Sequence, residues 1–98
     1  MKIEKWEIGG SGGCIVSDTP NRHTDERNNE FYGGNLIAES IPTTEYAHLI
    51  SAAPDMYEAI QIALGKIERA PNRYTKEEKI NIMEKAIAKA EGKDENPT

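Results

Sequence analysis

Pro42 divides this chain into two halves with different hydrophobic periods, and that division limits the fold more than any other feature. Before it, apolar residues come in short runs: residues 3–8, with Trp6 and Ile8 on one face and Lys5 and Glu7 on the other, then 14–17, then 35–41. Alternation and β-branched content mark strands. Pro42 ends the third run, because it has no N–H to give a ladder. After it, apolar residues recur at steps of three and four, the period of a helix. Strands that all precede helices place the chain in the α+β class. The expected architecture is a small N-terminal antiparallel sheet of about three strands, then a broken helix, then a helical hairpin.

The connections are legible in turn chemistry. Four glycines around Ser11, from Gly9 to Gly13, read as the loop of a hairpin. Residues 18–35 are polar and aperiodic, too long for a bare connector. Thr43 or Thr44 caps a helix over 45–53 that carries Tyr46, Leu49, Ile50 and Ala53 on one side. Pro54 breaks or kinks it, or sits in the first turn of the next helix. That helix, expected over 54–69, has a stripe of Met56, Ile60, Leu64 and Ile67. Thr75-Lys76-Glu77-Glu78 matches a capping box at the start of the last helix. Ile80, Met83, Ile87 and Ala90 form its stripe, and Gly92 suits its end. Residues 1–92 read as one α+β domain and 93–98 as a flexible tail.

Size sets the next constraint. A chain of 98 residues has a thin core, and thin cores often gain stability by self-association. A three-stranded sheet cannot cover both near-heptad helices, so one stripe is expected to face another copy in a homo-oligomer. The net charge is −5 with no basic block, which argues against direct DNA binding. The only cysteine, Cys14, cannot form an internal disulfide, which fits a reducing cytoplasm. No apolar run approaches the roughly 18–20 residues that span a bilayer.

No catalytic pattern emerges. The glycine loop precedes a strand and lacks Gly-Lys-Ser/Thr, so it is neither of the common phosphate loops. His23 lies near Asp18, Asp25 and Glu26 without the spacing of a metal site. No enzyme, cofactor or metal is expected. The four arginines, Arg22, Arg27, Arg69 and Arg73, fall in or beside the two irregular segments. Arginine grips phosphate with two parallel hydrogen bonds, and Tyr32 and Tyr74 can stack on a base. Candidate ligand-binding residues are therefore Arg22, Arg27, Asn28, Tyr32, Arg73 and Tyr74, with Asn21, Asn29 and the Phe31-Tyr32-Gly33-Gly34 run in support. The bland alternative is surface arginine paired with local carboxylates.

Three stretches carry a family resemblance: Gly13–Asp18, Tyr32–Ile41, and Ala47-His48-Leu49-Ile50-Ser51-Ala52-Ala53-Pro54-Asp55-Met56-Tyr57-Glu58-Ala59-Ile60. Over roughly residues 6–67 the chain resembles small bacteriophage and prophage proteins with a "LIAAAPDMYEAL"-type segment. The resemblance implies a phage accessory protein acting in the host bacterial cytoplasm against anti-phage defence. One form of that role is an oligomeric sponge for a cyclic nucleotide or cyclic ADP-ribose signal. The alternative is an acidic, anti-CRISPR-like inhibitor that binds a bacterial defence protein without a small ligand.

Overall fold

The computed structural model describes residues 3–10, 12–21, 29, 32–69 and 73–93. It has the expected α+β order: β1 (Trp6–Ile8), β2 (Ile15–Ser17), β3 (Asn35–Ala38), then α1 (Thr44–Ser51), α2 (Ala53–Ala63) and α3 (Lys76–Ala90). The sheet is antiparallel in the order β1-β2-β3. Trp6 pairs with Ser17 and Ile8 with Ile15, so the glycines close a hairpin as expected. There Gly9 N–H donates to the Cys14 carbonyl at 3.0 Å. Between β2 and β3 the register skips at Ile15/Val16, a bulge.

β2 is the centre of the core. Cys14, Ile15, Val16 and Ser17 are all buried, which requires cover on both faces of the strand. One face meets the turn before β3. A Cβ on Gly34 would stand 2.9 Å from the Val16 side chain, and one on Gly9 would stand 2.5 Å from Cys14 Sγ. Strand alternation turns Ile15 to the other face, and α1 is the helix that packs on both β1 and β2.

Each strand is shorter than its apolar run. β3 stops at Ala38 and not at Ile41, because Ser40 takes φ +62° and turns the chain away. The first helix break is where the sequence put it. Thr43 caps α1 by accepting from Tyr46 N–H at 3.1 Å. Ala52 ends α1, and Pro54 sits in the first turn of α2, where its missing N–H leaves no gap. α2 does not reach residue 69. Leu64 caps it and Gly65 takes φ +77°, the left-handed terminator that only glycine adopts readily. The capping box of α3 forms in full, and Gly92 follows its last turn at φ +73°. A Cβ on Gly92 would lie 2.6 Å from the His48 ring, so the end of α3 rests directly on α1. Residues 94–98 of the expected tail lie outside the described residues.

The orientation of the helices was not legible in their stripes. On α2 the buried positions are Pro54, Ala59 and Ile62, while Ile60 is 54% and Leu64 66% exposed. On α1 Ala47 and Ser51 are buried, and Tyr46 and Leu49 are exposed. On α3 Ala86 is buried, and Ile80 and Ile87 are exposed. Small side chains line the contacts between helices, letting their axes approach closely, and the large apolar residues are left largely outside.

Candidate functional site

A cleft of about 350 Å³ lies between α2, α3 and the chain leading into β1. Helical spacing builds it. Lys85, Lys89 and Lys93 recur every four residues along and just past α3, and Ile82 and Ala86 form its floor. Asp55 and Glu58, one turn apart on α2, face them, and Lys5 enters from the N-terminal side. Four ammonium groups against two carboxylates give the cleft a local positive excess in a chain of net charge −5.

Asp55 organises two of these cations. Its Oδ2 lies 3.3 Å from Lys89 Nζ and its Oδ1 3.6 Å from Lys5 Nζ. Lys89 Nζ also donates to the Trp6 carbonyl at 2.8 Å, so it is a structural tie. Lys93 pairs with Glu91 at 3.2 Å. Among the described residues Lys85 makes no ion pair. An ammonium group is a compact phosphate-binding charge, and the volume falls within the range of small-ligand sites. The arginine-centred reading missed this cleft. Its signal was present in the four-residue spacing of Lys85, Lys89 and Lys93.

The residues singled out from the sequence lie elsewhere. Arg22, Arg27 and Asn28 fall outside the described residues, as do Phe31, His23, Asp25 and Glu26. Tyr32 stands beside β3. Its hydroxyl donates to Glu39 Oε2 at 2.7 Å, and that bond holds the phenol above its ordinary pKa. Gly33 does approach another backbone closely, but it is that of the glycine loop, where Gly10 N–H donates to the Tyr32 carbonyl at 3.0 Å, and Gly34 lies against the Val16 side chain. Asn21 Nδ2 donates to the Leu36 carbonyl at 3.3 Å. Asn29 Oδ1 is shielded and has no partner among the described residues.

Arg73 and Tyr74 sit at the connection between α2 and α3. Arg73 Nε pairs with Glu68 at 3.7 Å. The Arg69 guanidinium lies 4.6 Å from the centre of the Tyr74 ring and 2.5 Å from both oxygens of Glu78. Glu78 also accepts from Thr75 N–H at 2.9 Å, and these contacts, the backbone bond first, hold its carboxyl below the usual range. At this corner the described arginines are thus paired with local carboxylates. Asp18 is likewise held low, chiefly by Lys5 N–H and then by the Thr19 hydroxyl. Among the described residues no three His, Cys, Asp or Glu side chains are grouped to hold a metal, and no helix is long and apolar enough to cross a membrane.

Residues 2–94 match the family described as Salmonella phage P22 protein Y8K6. No curated protein and no solved structure matches the chain.

Proposed function

We propose that this chain, which belongs to the family of Salmonella phage P22 protein Y8K6, is a non-enzymatic phage accessory protein that sequesters a phosphate-bearing, nucleotide-type signal of host anti-phage defence. It would act as an oligomer in the bacterial cytoplasm. The observation that carries the reading is the lysine cleft. It concentrates positive charge, has ligand-sized volume, and offers Lys85 as a cation not committed to an ion pair among the described residues. Lys93 is mostly exposed, so an incoming phosphate can draw it from Glu91 at little cost.

The test is a thermal-shift screen against cyclic oligonucleotides and cyclic ADP-ribose isomers. A ligand at 100 times its dissociation constant adds about 2.7 kcal/mol of stability. The double substitution Lys85→Ala and Lys93→Ala is expected to abolish that shift and leave the unliganded melt unchanged. Arg22 and Arg27 keep the best chemistry for gripping a phosphate, and their double alanine variant separates the two placements. Loss of binding there, with the lysine variant unaffected, moves the site to the 18–35 segment.

A second reading is an acidic inhibitor that occupies a host defence protein with no small ligand. It is favoured by a row of exposed carboxylates on one side of α3, Glu77, Glu84 and Glu91, spaced two turns apart. Absence of any thermal shift across the screen removes the first reading and leaves this one.

A further inference from the structure

We infer that the outward apolar face of α1 and α2 is the surface on which a second copy of this chain docks. The inference rests on the oligomer in the reading above and supplies its contact surface. The face is one stripe. Ala52 keeps right-handed helical backbone (φ −86°, ψ −4°) between α1 and α2, so helical counting carries across the break. Tyr46, Leu49, Ala53, Tyr57, Ile60 and Leu64 then follow at steps of three and four on the side away from Ala47, Ser51, Ala59 and Ile62. Steps of three and four are the seam of a helix that packs on another helix of like spacing, and this chain carries that spacing itself.

Charge selects the same partner. The carboxylates of α2, Asp55 and Glu58, turn into the lysine cleft, and Glu45 and His48 of α1 lie toward the end of α3. The α2 part of the stripe, Tyr57, Ile60 and Leu64, is left without a charged side chain, while at its α1 end Tyr46 and Leu49 share a groove with Glu45, Glu91 and Lys93. Two copies of net charge −5 repel over most of their surfaces and meet without penalty where there is no charge. Area sets the strength. Five large side chains are each about half exposed, which is on the order of 500 Å² per copy. A standard interface uses about 800 Å² per partner, so the dimer is expected to be concentration-dependent rather than obligate.

Sedimentation velocity of the full chain from micromolar to millimolar concentration tests this, with Ile60→Glu and Leu64→Glu combined as the variant. The wild-type mass is expected to rise toward twice that of the monomer, and the variant to stay monomeric with unchanged far-UV circular dichroism. A wild-type monomer at every concentration overturns the inference, as does a dimer that survives both substitutions. If the variant does not fold, the amide resonances of the wild-type protein on dilution decide. Shifts confined to residues 46–64 support the stripe, and shifts centred on Ile80 and Ile87 overturn it. Ligand binding is scored separately: a monomer that still binds sinks this inference alone, and a dimer that binds nothing sinks the ligand reading alone.

Discussion

In the sheet, the four consecutive residues from Cys14 to Ser17 are at most 3% exposed, while on α2 Ile60 and Leu64 stand more than half in solvent. Both regions are rich in apolar residues, yet they use them in opposite ways. β2 is covered by α1 on one face and, on the other, by glycines that admit close neighbours: Gly9 lies against the Tyr32 carbonyl and Cys14, Gly33 against Gly10, and Gly34 against Val16. The helices pack through alanines instead, Ala47, Ala59 and Ala86, and turn their large residues out. The sheet half is therefore held by packing. The helical half is held by these small-residue contacts together with the Thr43 cap, the Thr75–Glu78 box and the Asp55–Lys89 pair between helices.

The largest effect should come from the centre of that contrast. Ile15→Ala is expected to cost about 2–5 kcal/mol, whereas Ile60→Ala on the exposed stripe should stay within about 0.5 kcal/mol in dilute, monomeric protein. Denaturant midpoints measure both, and equal costs would erase the distinction between the halves. Next comes Gly9→Ala. Its new methyl would lie 2.4 Å from the Tyr32 carbonyl oxygen and 2.5 Å from Cys14 Sγ, and overpacking of this kind costs about 1–3 kcal/mol. An unchanged melt would mean that the turn yields and that backbone closeness is not what covers β2.

The smallest effect concerns the local devices and has a sign set by pH. The Glu78 carboxyl is held below its ordinary value by Thr75 N–H and Arg69. A group whose folded pKa is depressed contributes stability above its unfolded pKa, about 4.3 for glutamate. That contribution is lost as pH falls through the folded value. Thermal melts on acidification should therefore show a larger loss for wild type than for Glu78→Gln, whose side chain does not titrate. Parallel curves for the two proteins would show that the Thr75–Glu78 contact is too solvent-screened to matter.

Element order, the hairpin loop, the Pro54 break and the Thr75 capping box were legible because each rests on local chemistry that one or two residues determine. Helix rotation was not. α2 carries Ala53, Pro54, Met56, Tyr57, Ala59, Ile60, Ile62 and Ala63, apolar nearly all round, so periodicity alone cannot choose between Ala59–Ile62 and Ile60–Leu64 as the inner face. Close approach decided for the smaller residues. The end of α2 comes earlier than expected because the stripe of Met56, Ile60, Leu64 and Ile67 runs on past Gly65, whose positive φ terminates the helix. Of the candidate site, Tyr32, Arg73 and Tyr74 engage Glu39, Glu68 and Arg69, tertiary or cross-turn partners that no spacing rule supplies. Arg22, Arg27 and Asn28 lie outside the described residues.

The bond from Lys89 Nζ to the Trp6 carbonyl joins positions 83 residues apart. β1 is an outer strand of the sheet, and Lys5, which accepts from Asp18 N–H, faces inward, so Trp6 turns its carbonyl to the unpaired side. An unpaired strand edge is a template for pairing with other chains, and a lysine placed on it is a common guard. Here the guard is encoded 83 residues after the edge it covers. During synthesis the sheet can assemble before α3 has been made, and until then that edge is open. Nascent or C-terminally truncated chains are the forms of this protein in which strand-to-strand aggregation is favoured.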